Sequence, residues 1–497
     1  MDAELPSATP SPLPSPGPAR NTPPDEIQMR VAQARHAQAL WRRYTISQRV
    51  ERVRKAWREI ESARERLVAV VQGETGKPAA EIEMLELGAA GMILDYFTRN
   101  AHRILKDQAA SRPWTLFNKR AYVRYVSRGL VGVITPWNYP VLIPLGDAFP
   151  ALIAGNAVLL KPSEWTPSTA LFLEGLFKAS ALFPEGLFTV VPGDGAVGAE
   201  VARAVDMVLF TGSTRSGRAV AHAAAERLIP CVLELGGKHA MVVLKDAPLE
   251  RAASAAVWGR FANCGQSCVG VERVYVEQEV HERFVELVTR RMSALRQGEP
   301  GGPGPGRDAY GFDVGRLIVP AQLDTVLAHL ADAKALGARV IGGELLSRER
   351  LLVAPALVLD ARQEMRVMRE ETFGPVLPIM AVRNADEGVR LANDSPFGLA
   401  ASLWSRDLPR AEALSAHLEA GLVGINDVMG HYAVCSLPFG GFKESGLGRR
   451  HSDEGLRMFC EPQSVLVHEW PADAPEPWWF PYTALKAKLV SWLQFFS

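Results

Sequence analysis

The chain has 497 residues, 47% of them hydrophobic and 22% charged, which is the composition of a globular protein too long for a single core. Its 55 basic and 55 acidic residues balance, which argues against nucleic acid as a partner. Five cysteines are too few for a disulfide framework, and the first residues lack the basic and apolar regions of a secretory signal. No apolar stretch reaches the roughly 20 residues of a membrane span. We therefore expect a cytoplasmic protein of two or three domains.

The N-terminal part is predicted to be a tail followed by helices. Residues 1–24 are rich in Pro, Ser and Ala and predict a disordered segment, because such a sequence cannot bury enough apolar surface to offset its ordering entropy. Helical periodicity begins near Asp25 and again near Ile46. A third helix is expected over roughly Ala79 to Ile104. Residues 121–126 alternate in character and predict an extended strand.

From Gly132 onwards, apolar strands alternate with helices, which indicates a parallel sheet whose ligands bind outside the carboxyl ends of its strands. The predicted strands are Val131–Thr135, Ala157–Lys161, Phe188–Val191, Met207–Thr211 and Cys231–Leu235. The predicted helices are Pro144–Ala154, Ser168–Phe183, Val197–Ala204 and Ser216–Ala224.

A second α/β pattern follows Gly237. Its Gly/Pro-rich run Gly298–Gly306 is predicted to be a surface loop, and Ser464–His468 a late strand. The strands expected in between are Met241–Leu244, Arg273–Val276, Leu352–Leu359, Pro378–Val382, Ala400–Trp404 and Leu422–Asn426, with helices at Glu282–Ala294 and Gln322–Leu336.

Three polar groups in this pattern are candidates for chemistry. Cys268 ends a small, polar, glycine-containing loop that starts at Phe261, rather than an apolar run. Glu234 ends an apolar strand before two glycines, and Asn138 lies in a turn bracketed by prolines. A thiol, a carboxylate and an amide donor are the groups needed for covalent chemistry on a carbonyl. Singly, each also has an ordinary structural interpretation, as a core cysteine, a strand-end carboxylate and a turn residue.

The three motifs together, from about Val31 to about Val467, resemble the aldehyde dehydrogenase superfamily. The resemblance implies an α/β fold with a Rossmann-like cofactor domain, an α/β catalytic domain and a small bridging sheet. It also implies oxidation of an aldehyde to a carboxylic acid, and assembly as a homodimer or homotetramer. The expected segments are a tail at 1–24, the NAD-binding domain at 25–112 and 128–235, bridging strands at 113–127 and 461–473, the catalytic domain at 236–460, and a tail at 474–497.

The cofactor side of the resemblance favours NAD, with NADP possible. Lys161 and Glu164 resemble the family motif that holds the adenine-side ribose, and a carboxylate there would repel a 2′-phosphate. The run from Gly212 to Gly217 is not the generic Rossmann fingerprint, but Ser213 opens a helix whose N–H groups suit a pyrophosphate. The residues assigned to cofactor binding are Thr135, Trp137, Lys161, Glu164, Gly212, Ser213, Gly217, Leu235, Glu371 and Phe373.

In the chemistry that the resemblance implies, Cys268 is the nucleophile and needs activation, because an ordinary thiol is mostly protonated at pH 7. Asn138 and the backbone N–H of Cys268 would stabilise the oxyanion, and Glu234 would activate the water that releases the acid. Glu234 argues against a CoA-acylating relative, which lacks this base. The alternative function is a catalytically silent structural or binding member of the superfamily.

The substrate side is mostly apolar, which favours medium or bulky apolar aldehydes over short acidic ones. Gly146 stands where many relatives carry a bulky aromatic side chain, and Tyr432 is a further candidate for the entrance. Gly424–Asp427 and Gly448–His451 resemble both a fatty-aldehyde branch and a bacterial succinate-semialdehyde branch. Cys264 is expected to pack, the alternative being a protective disulfide, and no metal site is expected. The residues assigned to the substrate are Tyr139, Leu142, Ile143, Ser267, Val269 and Phe439.

The C-terminal tail lies beyond the shared core. Trp478, Trp479 and Phe480 precede a helix expected near Thr483, with an apolar stripe and lysines beside it. Such a helix fits peripheral contact with a membrane surface. Docking of the helix on the enzyme or on a partner subunit would produce the same stripe.

Overall fold

The computed structural model describes residues 18–298, 300, 311–470, 473, 475–476 and 478–495. Within these residues the chain forms two large, mainly parallel sheets and a smaller antiparallel sheet. The α/β fold expected from the sequence is therefore confirmed. Most of the predicted loop Gly298–Gly306 and most of the predicted N-terminal tail lie outside the described residues.

The first large sheet has six described strands and positions one half of the site. Its strands are buried and covered by helices on both faces, which explains their continuous apolar sequences. The strand order reverses on the two sides of Leu130–Ile134, so a ligand crevice is expected at the carboxyl ends. In spatial order the strands are Gly446–Leu447, Cys231–Glu234, Met207–Thr211, Leu130–Ile134, Ala157–Lys161 and Phe188–Val190.

The edge strand Gly446–Leu447 comes from the C-terminal part of the chain and runs antiparallel to Cys231–Glu234. Gly446 lies opposite Glu234 in this register. The late segment around residue 450 is thereby brought beside the carboxylate that the sequence singles out.

The N-terminal tail and the third helix differ from the predictions. Backbone N–H groups of Ala19 and Thr22 donate to Glu164 and Pro192, so the tail predicted at 1–24 is too long at its end. The third predicted helix contains a π-helical segment, Ile82–Gly88, which hydrophobic periodicity does not reveal. The helices are Pro24–Trp41, Ile46–Ser62, Arg64–Thr75, Ala79–Glu81, Ala89–Leu105, Leu142–Ala154, Pro167–Ser180, Gly195–Ala204 and Thr214–Glu226.

The second large sheet has seven described strands. In spatial order they are Arg339–Gly342, Ala356–Leu359, Val376–Val382, Arg273–Glu277, Ala240–Val243, Ala400–Trp404 and Leu422–Ile425. The helices that follow Glu234 in the chain are Leu249–Phe261, Gln278–Met292, Pro320–Ala335, Arg366–Arg369, Ala385–Asn393, Leu408–Ser415 and Ser452–Arg457.

One strand prediction in this half is wrong. The expected strand Leu352–Leu359 is two strands, because Pro355 has no N–H to continue a ladder. Leu352–Val353 pairs with Leu345–Ser347 in a small hairpin, whereas Ala356–Leu359 joins the large sheet.

The small antiparallel sheet joins distant parts of the chain. Lys119–Ser127 pairs with Cys460–His468 over its full length, and with Gln108–Ala109 on its other side. The two predicted extended segments thus lie in one sheet. Beyond it, the expected C-terminal helix is present as Ala484–Phe495. Among the described residues, no helix combines the length and the apolar character that crossing a membrane requires.

Candidate active site

The Cys268 loop begins with a sharp turn after the helix Leu249–Phe261. Asn263 and Cys264 have φ values of 52° and 54°, and Gly265 follows with φ 76°. A Cβ on Gly265 would lie 2.2 Å from the carbonyl oxygen of Gly374, so only glycine allows this approach. The turn therefore places the thiol loop directly against the segment that contains Glu371 and Phe373.

Asn138, in the turn that follows the strand Leu130–Ile134, contacts this loop. Its Nδ2 donates to the carbonyl oxygen of Gln266 at 2.9 Å, and Asn263 Nδ2 donates to the carbonyl of Asn138 at the same distance. An amide carries two hydrogens, so Asn138 can make this bond and still donate to an oxyanion. The geometry suits the predicted pairing of Asn138 with Cys268.

Glu234 is a buried carboxylate, 3% exposed, at the end of its strand. Neither carboxylate oxygen has a hydrogen-bond partner among the described residues. Burial raises its pKa to about 8, with Arg450 acting in the opposite direction and Asp147 adding to the rise. A carboxylate with a pKa in this range can act as a general base near neutral pH.

The thiol of Cys268 is protonated at rest. Burial, and after it the nearby carboxylates of Glu371 and Glu234, together raise the pKa of the Cys268 thiol to about 12. The free enzyme therefore stores a thiol, and a base or a positive charge must act before the sulfur can attack.

The predicted adenine-side residues surround the carboxyl ends of the first sheet. Lys161 is buried, and its Nζ lies 3.7 Å from Glu164 Oε2. Ser213 caps the helix Thr214–Glu226 by accepting from the N–H of Ser216 at 3.3 Å. A Cβ on Gly217 would lie 2.4 Å from Leu235, so glycine lets this helix lie close to the strand end.

The predicted nicotinamide-side residues lie on the facing loop. Glu371 Oε1 accepts from the N–H of Gly237 at 2.8 Å, and a Cβ on Gly236 would lie 2.7 Å from Oε2. Trp137 and Phe373 contact edge to face with ring centroids 5.4 Å apart. Burial, and after it the charge of Glu272, raise the pKa of Glu371 to about 7.

These residues fit a dinucleotide. The Thr135 hydroxyl is buried at the sheet's switch point without a partner among the described residues, and the capped helix N-terminus opens beside it. Lys161 and Glu164 offer a cation and an acceptor for ribose hydroxyls, and Glu371 offers a second acceptor. Polar groups of this kind are those that NAD(P)+ requires.

The predicted substrate residues are buried and mostly apolar. Val269 and Phe439 form a small apolar cluster against which Cys268 and Tyr432 pack. A Cβ on Gly146 would lie 3.3 Å from Ile93 and 3.7 Å from the Tyr432 hydroxyl, so a large side chain there would displace neighbours of the cluster. The other assigned residues, Tyr139, Leu142, Ile143 and Ser267, are each less than 9% exposed.

Two buried charge clusters near the site were not predicted. Arg450 Nη2 lies 3.0 Å from Asp147 Oδ2, between parts of the chain 303 residues apart. Glu272 binds Lys238 and Arg260 under the Glu371 loop. The available signal for Asp147 is an acidic residue in the otherwise apolar helix Leu142–Ala154. For Glu272, the signal is a carboxylate four residues after Cys268.

The cysteines form no disulfide, and the described residues contain no candidate metal site. Cys231, Cys264, Cys268, Cys435 and Cys460 are all free, so the disulfide alternative for Cys264 is not formed. In the described ranges, no group of three or more His, Cys, Asp or Glu side chains could hold a metal ion.

Fold and site together define an α/β enzyme with a half-buried thiol, a buried base and a dinucleotide crevice at the ends of parallel strands. The model of the aldehyde dehydrogenase family matches residues 16–465. A 4,4'-diapolycopene aldehyde oxidase of Methylomonas sp is 41% identical over 464 residues, covering 93% of this chain and 85% of that protein.

A Mycobacterium tuberculosis protein named provisionally as an NADP(+) succinate-semialdehyde dehydrogenase is 37% identical over 89% of this chain and 84% of its own. The crystal structure of a Mycobacterium tuberculosis aldehyde dehydrogenase complexed with NAD+ superposes with a TM-score of 0.84 at 31% identity, covering 90% and 91% of the two chains. The chain belongs to the aldehyde dehydrogenase family and oxidises an aldehyde group with NAD(P)+. The catalytically silent alternative has no support.

Proposed function

We propose that this protein oxidises apolar, medium to long aldehydes through a covalent intermediate on Cys268. The observation that supports the mechanism most is the arrangement of the buried, hydrogen-bond-free carboxylate of Glu234, the half-buried thiol of Cys268 and the amide of Asn138 around one end of the first sheet.

In the first half-reaction, the Cys268 thiol gives its proton to water and the sulfur attacks the aldehyde carbon. Asn138 Nδ2 and the Cys268 N–H donate to the resulting oxyanion, each contributing roughly 2.7–4 kcal/mol by analogy with other oxyanion holes. Loss of the hydride from the aldehyde carbon then leaves a thioester on Cys268. When bound, NAD(P)+ supplies the acceptor for the hydride. Lys161, Glu164 and Ser213 would hold its adenosine and pyrophosphate half, and Glu371 and Phe373 its nicotinamide half.

In the second half-reaction, Glu234 removes a proton from water as the water oxygen attacks the thioester carbon on Cys268. The carbon–sulfur bond breaks, the acid leaves, and the sulfur recovers a proton. The raised pKa of Glu234 suits this alternation, because a group with a pKa of about 8 both accepts and returns a proton near neutral pH.

One feature favours NAD over NADP. The Glu164 carboxylate lies next to Lys161, where it accepts from ribose hydroxyls and repels a 2′-phosphate. Steady-state rates with each cofactor test the preference. Higher kcat/KM with NADP would contradict it.

An apolar substrate is supported by the cluster of Val269, Phe439 and Tyr432 beside Cys268, and by the absence of a side chain at Gly146 next to Tyr432. The 41% identical relative carries a name that refers to a polyene aldehyde, which is in line with this. NADH formation with octanal, a polyene aldehyde and succinic semialdehyde tests the class. Preference for succinic semialdehyde by kcat/KM would overturn it.

A space-filling variant tests the same proposal from the protein side. Gly146→Phe should lower kcat/KM for the long aldehydes at least ten-fold while preserving that for propanal, because the ring would push Tyr432 towards the apolar cluster beside Cys268. Gly175→Phe is the matched control, since a Cβ there meets nothing within 4 Å. Equal losses for long and short aldehydes would contradict the assignment.

We also propose that the C-terminal tail contacts a membrane surface. Phe480, Leu485 and Trp492 are 79%, 79% and 59% exposed, a density of exposed apolar side chains typical of a contact surface. Lys486 and Lys488 lie on the same helix and suit anionic lipid. Sedimentation of the full chain, but not of a chain ending at Ala474, with anionic vesicles tests this. Equal sedimentation, with the shorter chain less stable, would favour docking on the enzyme or a partner subunit.

For the domain organisation, we propose that residues 25–112 and 128–235 form the cofactor domain and residues 236–460 the catalytic domain. The small antiparallel sheet is proposed to bridge subunits of a homodimer or homotetramer, since Cys460–His468 lies at an edge of this sheet. Sedimentation equilibrium distinguishes the two assemblies, and a monomer at micromolar concentration would contradict both.

A further inference from the structure

Arg450 and Asp147 form a buried ion pair, and Arg450 also binds Thr211, so three parts of the fold meet here. The guanidinium Nη2 lies 3.0 Å from Asp147 Oδ2 and donates to Thr211 Oγ1 at 2.7 Å. The backbone of Arg450 exchanges two hydrogen bonds with Phe439, at 2.7 and 2.8 Å. The arginine is therefore held at its main chain and at its side chain, which fixes the position of its charge.

This charge lies beside Glu234. Thr211 is the register partner of Glu234 on the adjacent parallel strand, so the guanidinium bound to Thr211 is at the same end of the sheet. A buried carboxylate without hydrogen bonds has nothing nearby except other charges to favour its ionised form. Arg450 favours that form and Asp147 opposes it.

We propose that the Asp147–Arg450 pair sets the charge of Glu234 and thereby the rate of thioester hydrolysis, an inference that rests on the function proposed above. Arg450 is a positioning residue: it keeps a useful fraction of Glu234 ionised near neutral pH. Asp147 limits this effect, so that Glu234 still holds the proton it must return to the sulfur.

The titratable groups that face Glu234 are few. Burial raises the pKa of Asp147 to about 6 against the effect of Arg450, so Asp147 is ionised above pH 7. Arg449 is only partly buried, and its Nη1 donates to the carbonyls of Gly441 and Gly448, so solvent screens it more than Arg450. The charged or titratable side chains that act on Glu234 or are affected by it are Arg450, Asp147, Arg449, Cys268 and Tyr432.

The test uses ester hydrolysis, which needs no cofactor. The Cys268 thiolate attacks the carbonyl of p-nitrophenyl acetate and p-nitrophenolate leaves. Water deprotonated by Glu234 then attacks the thioester and acetate leaves. The amplitude of the first burst reports acylation, and the steady rate that follows reports hydrolysis. The hydrolysis rate measured from pH 6 to pH 10 gives the pKa of the base.

We expect the rising limb of this pH–rate profile to move to higher pH in Arg450→Met and to lower pH in Asp147→Asn. Arg450→Met should shift the limb upward by about one pH unit, which is about ten-fold slower hydrolysis at pH 7. Asp147→Asn should shift it downward, and the double variant should lie between wild type and Arg450→Met. Arg450→Lys should stay near wild type, and Arg449→Met should move the limb much less than Arg450→Met.

Limbs that coincide in all variants, or that move in the same direction for Arg450→Met and Asp147→Asn, would overturn the inference. The double variant leaves neither member of the Asp147–Arg450 pair buried without its partner, so it keeps the test available if a single variant fails to fold. A wild-type enzyme without a burst, or a burst that persists in Cys268→Ala, would instead contradict the proposed mechanism itself. The two failures are therefore distinguishable.

Discussion

Replacing Glu272 by Gln should destabilise the protein and at the same time loosen the loop that contains Glu371 and Phe373. The Glu272 carboxylate accepts from Lys238 Nζ at 2.6 Å and from Arg260 Nη1 at 2.5 Å. It also accepts from the N–H groups of Thr372 and Phe373, at 3.0 and 3.1 Å. Arg260 in turn donates to the carbonyls of Gly265 and Gly374, which lie in the thiol loop and the facing loop. One carboxylate thus joins both sides of the site.

The magnitude follows from the charges. Burial acts to raise the pKa of Glu272, but Arg260, Lys238 and their hydrogen bonds outweigh it and hold the pKa at about 2. Lowering the pKa of Glu272 from the ordinary 4.5 to about 2 corresponds to about 3 kcal/mol of folding stability at neutral pH. By the same conversion, burial lowers the pKa of Lys238 from 10.5 to about 8 and offsets an amount of about the same size, so the intact cluster as a whole adds little net stability. Removing one partner of a buried pair costs roughly 3–5 kcal/mol, so Glu272→Gln should cost about 3 kcal/mol.

Urea unfolding followed by tryptophan fluorescence measures this loss. Glu279→Gln is the control, because Glu279 pairs with Lys245 at the surface and should cost less than about 1 kcal/mol. The contribution of Glu272 is complete above pH 4.5 and is lost as the pH falls towards 2, so wild type and variant should converge in acid. A loss no larger than that of the control at pH 7 would refute this reasoning.

Three further variants separate the roles assigned to the site. Cys268→Ala should abolish aldehyde oxidation yet leave NAD affinity, measured by fluorescence, nearly intact; substantial turnover would exclude Cys268 as the nucleophile. Glu234→Gln should give a burst of NADH in stopped flow followed by a steady rate at least ten-fold below wild type, and slow hydride transfer with no burst would place Glu234 in the first half-reaction. Glu164→Gln should narrow the preference for NAD over NADP, because it removes the negative charge that repels a 2′-phosphate; an unchanged ratio of the two kcat/KM values would contradict this role.

Much of the first sheet could be predicted from the sequence because its strands are buried on both faces. Ala157–Lys161 and Met207–Thr211 are found with the predicted bounds, since short apolar runs between crossover helices have few alternatives. The split at Pro355 shows the limit of this reasoning: two apolar runs of similar composition belong to different sheets. The π-helical segment Ile82–Gly88 has the periodicity of neither a regular helix nor a strand.

The site was only partly predictable for a different reason. Cys268, Glu234 and Asn138 stand in recognisable local sequences, whereas Arg450 acquires its meaning only by contact with Asp147 and Thr211. Those contacts depend on the edge strand Gly446–Leu447 pairing with Cys231–Glu234, a long-range event that local patterns do not encode. Glu272 is similar, since its partners come from a strand end, a helix and a loop.

Trapping the acyl intermediate tests the central claim most directly. Glu234→Gln incubated with NAD+ and octanal, quenched in acid and digested, should yield the peptide containing Cys268 with the added mass of an octanoyl group. Wild type treated in the same way should carry far less of it, because Glu234 hydrolyses the thioester. An octanoyl group on Cys264, or no acylated peptide in a variant that still forms a burst of NADH, would contradict covalent catalysis by Cys268.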